Sequence, residues 1–141
     1  METQADEQGA SLSPDARFLA YSSNESGRYE VYVQPFPEGA GKWGVSSGGG
    51  RRPLWRSDGK ELFYLEGETL MAASVTTTPN FSAGQAKRLF ESSELGRDNG
   101  FDVSADGQRF VVVETVKEPD PPTIRVVQNW YEEFRARDAD K

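Results

Sequence analysis

The segment Ser47 to Arg52 has three consecutive glycines followed by two arginines, a pattern that could bind an anion. Backbone N–H groups of such a loop can surround a phosphate or carboxylate, and a guanidinium group binds either one with two parallel hydrogen bonds. The segment lacks the Gly-Lys-Ser/Thr ending of a P-loop and precedes a predicted strand, so no helix dipole assists it. The alternative interpretation is an ordinary turn between strands, whose glycines adopt positive φ.

The composition removes most other kinds of catalytic chemistry. The 141 residues include no His and no Cys, which excludes a Ser-His-Asp triad, a Cys nucleophile, a Cys/His zinc site and a disulfide framework. An enzyme built on this chain would depend on carboxylates, Lys, Tyr and backbone groups. With 23 acidic against 16 basic residues the net charge is −7, which disfavours nucleic acid as a partner. We expect no metal and no cofactor.

Three aspartates could be mistaken for catalytic carboxylates, but they recur in equivalent turns. Asp15, Asp58 and Asp106 each precede an apolar strand pattern and lie 43 and 48 residues apart. Gly59 and Gly107 follow the second and third. Asp-Gly between apolar runs predicts a hairpin, because Gly adopts positive φ without a Cβ clash and Asp can bond to its own backbone. We therefore interpret all five residues as structural turn positions.

Short strands that repeat with a period in the forties are typical of β-propeller blades. We predict an all-β fold of three four-stranded antiparallel blades. The predicted strands are 10–12, 18–22, 30–35 and 42–46 in the first blade, 52–56, 61–65, 70–75 and 87–91 in the second, and 101–103, 109–114 and 123–128 in the third. The predicted divisions are an N-terminal segment at 1–9, blades at 10–47, 48–92 and 93–137, and a frayed tail at 138–141. The third blade is expected to end in a short helical turn, since Trp130 and Phe134 lie four residues apart.

The turn at Leu12 to Arg17, the segment Asn24 to Pro37 and the ending Val126 to Phe134 resemble a known family. The family is the TolB-like (WD-type) β-propeller repeat. The second and third of these segments look like the last blades of C-terminal sensor propellers attached to bacterial serine/threonine kinases and transcriptional regulators. The resemblance covers roughly residues 10 to 137. It implies a propeller fold and says little about a ligand, because the repeated motif is a turn.

Two of the repeats depart from the family pattern. The first repeat has Ala16 where Gly is usual. The second has Arg56 before Ser57, and no Pro. Neither departure changes the predicted fold.

Three blades cannot close a ring, since closed propellers have about four to eight. An open arc would expose blade faces and a strand edge to water. The resemblance implies six blades, so we predict a homodimer in which two half-propellers complete the ring. Val126, Val127, Trp130 and Phe134 are the expected closure residues. The third blade has no clear outer strand, and we expect the N-terminal segment of the same or the partner chain to add it as a clasp. The alternative is a fragment of a longer protein.

If a ligand binds, we expect it at the loops that connect successive blades. In propellers these loops share one face around the central channel. The first is the glycine-rich segment, and the second spans Glu91 to Gly100. The candidate ligand contacts are Arg51, Arg52, Arg97, Asp98 and Asn99. Solvated loop polarity is the alternative interpretation.

The leading functional hypothesis is a non-catalytic binding or interaction module for a protein, peptide or small molecule. A propeller-based hydrolase or lyase is the second hypothesis, and a structural remnant without activity is the third. The sequence has no apolar run long enough to cross a membrane, and its start has no secretory signal pattern. We therefore expect no membrane partner and a cytoplasmic location.

Overall fold

Twelve β-strands form three antiparallel sheets in the computed structural model, which describes residues 5–96, 101–114 and 123–128. The first sheet contains β1 (Glu7–Leu12), β2 (Phe18–Ser23), β3 (Glu30–Pro35) and β4 (Trp43–Gly44). The second contains β5 (Arg51–Trp55), β6 (Glu61–Glu66), β7 (Thr69–Thr76), β8 (Ser82–Ala83) and β9 (Lys87–Glu91). The third contains β10 (Phe101–Val103), β11 (Arg109–Glu114) and β12 (Thr123–Gln128). The described residues include no helix, and hence none long and apolar enough to cross a membrane.

Each sheet follows the chain order from its first strand outward, which is the arrangement of a propeller blade. Both β8 and β9 pair with β7 in the second sheet, and β9 takes the outer-strand role predicted for residues 87–91. The third sheet has three strands in its described part. The all-β fold of antiparallel blades is therefore as the repeat predicts, and the chain is a partial propeller.

The first strand is longer than the sequence indicates. It begins at Glu7, where Glu7 pairs with Ser23 and Gln8 pairs with Ser22 of the neighbouring strand. These two residues therefore belong to the first sheet, which corrects the expectation that they form a separate clasp. The strand was hard to recognise because all but one of its six residues are exposed, so it has no clear alternation of apolar and polar side chains.

Two hydrophobic cores lie between the sheets. The first core joins Phe18, Val31 and Val33 of the first sheet to Leu62 and Tyr64 of the second. Leu62 and Tyr64 lie in β6, and the second core joins the alternate residues of β6 to the third sheet. It contains the rings of Phe63 and Phe110, whose centroids are 5.2 Å apart.

Strand β6 is thus buried on both faces, which is typical of a continuous apolar run.

The turns that join the first two strands of each blade share one backbone geometry. In the first turn, Asp15 Oδ1 accepts hydrogen bonds from Ser13 Oγ at 2.6 Å and from the Arg17 N–H at 3.1 Å. Ser13 Oγ in turn accepts the Phe18 N–H at 3.1 Å. The bond from Ser13 is the largest influence holding the pKa of Asp15 below its usual value.

The third turn repeats this network. Ser104 Oγ donates to Asp106 Oδ1 at 2.5 Å, and Asp106 Oδ1 also accepts the Gln108 N–H at 3.0 Å. The pKa of Asp106 is lowered by the same kind of hydrogen bond from its serine.

The middle turn uses an arginine where the others use a serine. Arg56 places its guanidinium 3.0 Å from Asp58 Oδ2 and 3.3 Å from Glu61 Oε1, so the carboxylate of the turn is still bonded. Asp58 Oδ1 also accepts the Lys60 N–H at 2.9 Å. The unusual residue before Ser57 therefore replaces the serine hydroxyl with a longer cationic donor.

Several of the remaining predictions concern residues near the C-terminus. Val126 and Val127 lie in β12, opposite Val111 and Phe110 of β11. Trp130 and Phe134, with the helical turn predicted around them, lie outside the described residues.

Candidate ligand-binding cleft

The loops that enter β3 and β5 lie at the same end of the arc, because alternate connections of a four-stranded blade return to the same side. Between the first two blades they border an open cleft of about 530 Å³. The polar side chains that line it belong to Arg28, Tyr29, Arg51, Arg52 and Glu68.

The remainder of the lining consists of leucines and glycines. Leu65 and Leu95 are almost fully buried beneath the cleft. The glycines are Gly49, Gly50, Gly67 and Gly96.

The glycine-rich loop is occupied by a carboxylate of the chain itself. Glu30 is buried, and its two oxygens accept the Gly49 N–H at 3.0 and 3.1 Å. Ser46 Oγ also donates to Glu30. The Gly50 N–H donates to the Tyr29 carbonyl at 2.8 Å. The Gly49 N–H therefore binds an internal carboxylate and the Gly50 N–H binds a carbonyl, which corrects the hypothesis that these two N–H groups bind a ligand.

Arg28 connects this buried carboxylate to the solvent-exposed part of the cleft. Its Nε donates to Glu30 Oε1 at 2.8 Å, and its Nη2 donates to the Ser47 carbonyl. The guanidinium side chain is 62% exposed while the Glu30 side chain is 8% exposed. Part of the positive charge of Arg28 thus balances Glu30, and the rest faces water.

Arg51 lies over the aromatic ring of Tyr29, and hydrogen bonds hold that tyrosine in place. Its guanidinium carbon lies 4.4 Å from the centroid of the Tyr29 ring. The Tyr29 hydroxyl donates to Asp6 Oδ2 and accepts from Gln8 Nε2 at 3.0 Å. The hydrogen bond from the Tyr29 hydroxyl to Asp6 lowers the pKa of Asp6 and raises the pKa of Tyr29. Both shifts have one cause, because this hydrogen bond favours the ionised carboxylate and the protonated phenol.

Arg52 adopts a backbone conformation that favours glycine. Its φ is +53°, and β5 has a bulge between Arg51 and Leu54. The equivalent position of the first blade is Gly9, with φ +64° and a bulge between Gln8 and Ser11. The two inner strands therefore share one irregularity, and the second blade places a long cationic side chain where the first has none.

The structure locates part of the predicted contact set in this cleft. Arg51 and Arg52 line it, and the loop after β9 reaches it through Leu95 and Gly96. Arg97, Asp98 and Asn99 follow directly in sequence but lie outside the described residues. The prediction that the two interblade loops share one face thus agrees with the described part of both loops.

Sequence reasoning missed Arg28, Tyr29 and Glu68 as lining residues. They follow the second strand of a blade, and the connection from a second to a third strand lies on the same side as the connection between blades. Counting strand directions from the predicted hairpins would have found them. Glu30 was missed for a different reason, since no local pattern shows that its partner is a glycine 19 residues away.

Within the described ranges no group of three or more His, Cys, Asp or Glu side chains could hold a metal ion.

The architecture defines a β-propeller-like protein, and comparison with solved structures agrees. The chain is similar in fold to an oligogalacturonate lyase from Vibrio parahaemolyticus, at 15% identity and TM-score 0.63 over 89% of this chain and 38% of that one. A candidate 6-phosphogluconolactonase from Bacteroides uniformis is similar at 15% identity and TM-score 0.53, over 89% of this chain and 41% of that one. TolB from Acinetobacter baumannii matches at 17% identity and TM-score 0.44, over 92% of this chain and 42% of that one.

The similarity to the lyase and to the candidate lactonase shows the fold alone. The chain spans about two fifths of the length of each of the three structures. A comparison with protein-family models gives no match, and neither does a comparison with curated proteins.

Proposed function

We propose that this chain is a non-catalytic binding module, a half-propeller of TolB-like (WD-type) blades that closes into a six-bladed ring with a second copy of itself. The observation that carries the closure is the face of the first blade that no described residue covers. The ring would complete the channel face on which the arginine-lined cleft opens.

The uncovered face has the composition of an interface. Leu12 pairs with Leu19, and both lie on the side of the first sheet opposite the buried Phe18 and Ala20. Leu12 is 45% exposed and Phe36 is 40% exposed, and these are the large hydrophobic side chains exposed in the described part of the chain. Leu12 thus contributes an exposed apolar group to this face, which favours burial against a partner.

The same face contains a groove and an ordered polar network. The groove measures about 350 Å³ and is lined in part by Leu19, Tyr21 and Gln34. Tyr21 Oη donates to Gln34 Oε1 at 3.2 Å, and the ring of Tyr21 lies 6.1 Å from that of Tyr32. An incoming blade would therefore meet a preorganised surface, which reduces the entropy cost of binding.

The opposite end of the arc offers the complementary surface. On β11 the buried residues Phe110 and Val112 face the second blade, so the alternate residues Val111 and Val113 face away from it. A two-fold axis along the channel would bring this face of each copy against the first blade of the other. Both free faces would then be covered at once, and this argues for a closed dimer over an open chain.

The binding role rests on the chemistry of the cleft. Its lining includes three arginines. A guanidinium group stays protonated in proteins, so it holds an anionic ligand and does not transfer its protons.

The solution mass across a range of protein concentrations tests the proposal. Light scattering should give twice the chain mass of 15.6 kDa at micromolar concentration. A mass that stays at one chain mass under all conditions would overturn the closure through a second copy. Turnover of a small-molecule substrate by the pure protein would overturn the non-catalytic role.

A further inference from the structure

We propose that the cleft between the first two blades binds a small organic anion through the guanidinium groups of Arg51 and Arg52, with a carboxylate or phosphate as the recognised group. The inference rests on the proposed binding function and specifies the ligand class for that site.

The first argument is the concentration of arginines in a chain whose net charge is −7. Arg28, Arg51 and Arg52 all line the cleft, although Arg28 is paired with Glu30 and Glu68 also lies in the lining. The cleft thus offers guanidinium groups to a small anion, whereas polyanions such as nucleic acid meet the negative field of the whole protein.

The second argument is the preorganisation of Arg51. Its guanidinium carbon lies over the Tyr29 ring, 4.4 Å from the ring centroid, and an arginine held against an aromatic ring can still bind an oxyanion through its N–H groups. Tyr29 is itself fixed by Asp6 and Gln8, so the stacked arginine rests on a constrained ring. A guanidinium already held in place loses less entropy when it binds an oxyanion.

The third argument is the backbone strain at Arg52. A φ of +53° is unfavourable for any residue with a Cβ atom, and the equivalent position of the first blade is Gly9. Strained positions of this kind are common at ligand sites, where the surrounding structure, here the β5 bulge, maintains the conformation.

The fourth argument concerns the size of the cleft and its available donors. Because Glu30 occupies the Gly49 N–H, recognition depends on side chains and not on the loop backbone. A volume of about 530 Å³ lies within the range of small-molecule sites, roughly 300 to 1,000 Å³. The cleft is thus suited to one metabolite-sized anion.

The test is an NMR titration of the full chain with citrate and, separately, with glycerol 2-phosphate, at ionic strength held constant with sodium chloride. Saturable shifts should appear at the arginine side-chain Nε–H signals of Arg51 and Arg52 and at the Gly67 and Gly96 amides. Comparing the two probes distinguishes a carboxylate preference from a phosphate preference.

Three variants make the test specific. Arg52→Gly and Arg51→Gln should each weaken binding of the preferred probe by about tenfold, as loss of a charge-assisted contact predicts. Arg52→Gly should also raise the melting temperature, because glycine tolerates the positive φ. Arg88→Gln is the matched control, since Arg88 is an exposed arginine paired with Glu91 outside the cleft, and it should leave binding unchanged.

Absence of saturable shifts with both probes would overturn the inference, and so would equal weakening by Arg88→Gln. The solution mass measured on the same samples separates the two proposals. A dimer that binds neither probe would retain ring closure and reject the anion site. A monomer that binds citrate through Arg51 and Arg52 would retain the anion site and reject ring closure.

Discussion

At the residue scale, the three recurring turns show which part of their motif is obligatory. Gly59 and Gly107 have φ of +73° and +71°, and Ala16 occupies the equivalent position with φ +58°. The turn therefore requires a left-handed residue, and the first repeat forms it although its Cβ atom is disfavoured there. The sequence shows the departure at Ala16, whereas the conformation that makes it unfavourable is visible only in the structure.

Replacing this alanine should stabilise the protein. Ala16→Gly removes the Cβ from a left-handed position, which gains more than the extra backbone entropy of glycine costs, for a net increase of about 0.5 to 1 kcal/mol in the free energy of unfolding. Urea denaturation measures the difference.

The reverse change at the second turn is the matched control. A Cβ on Gly59 would meet only the Pro14 ring at 3.7 Å, so the cost of Gly59→Ala comes from its backbone alone, about 1 kcal/mol. Equal stability of Ala16→Gly and the parent chain would contradict the strain argument.

At the element scale, strands and hairpins could be predicted because they depend on local chemistry. The bounds of β3, β9 and β11 agree with the sequence pattern, since each lies between clear turn signals. The irregular first strand and the short β8 could not be predicted so well, because their side chains are mostly exposed and their pairing depends on neighbours. The same limit applies to the cleft. Arg51 could be predicted as a lining residue from the sequence, but the binding of Glu30 to the Gly49 N–H could not.

The loop that holds Glu30 offers a test at this scale. Glu30→Gln keeps the size of the side chain but removes the charge that the Gly49 N–H and Arg28 bond to. We expect a loss of about 2 kcal/mol in the free energy of unfolding, the range for hydrogen bonds to charged groups.

The exposed Glu38→Gln serves as the control and should change stability by less than about 0.5 kcal/mol in the same urea experiment. If both variants unfold at the parent's urea concentration, Glu30 does not organise the glycine loop.

At the scale of the whole molecule, the proposed ring depends on the face of the first sheet that contains Leu12 and Leu19. Leu12→Lys introduces a charge that water can solvate in a single chain, because Leu12 is already 45% exposed. In a closed ring the same charge would be buried against another blade at a high cost. We therefore expect this variant to fold with nearly unchanged stability and to have the mass of one chain in light scattering.

Thr76→Lys changes an exposed strand position of the middle sheet and should leave the mass at that of the dimer. A dimeric Leu12→Lys protein would show that the copies meet through some other surface.

Both hydrophobic cores depend on the middle sheet, and this has a consequence for how the chain comes apart. One core contains Leu62 and Tyr64 and the other contains Phe63 and Leu65. The first sheet or the third sheet can therefore detach from the middle sheet while the other core stays intact. Such an array opens from its ends and behaves as a sum of neighbouring units. Slow amide exchange should therefore concentrate in β6, with the outer sheets exchanging through separate partial openings. A closed ring has no ends, and joining two arcs would turn these independent openings into one cooperative event.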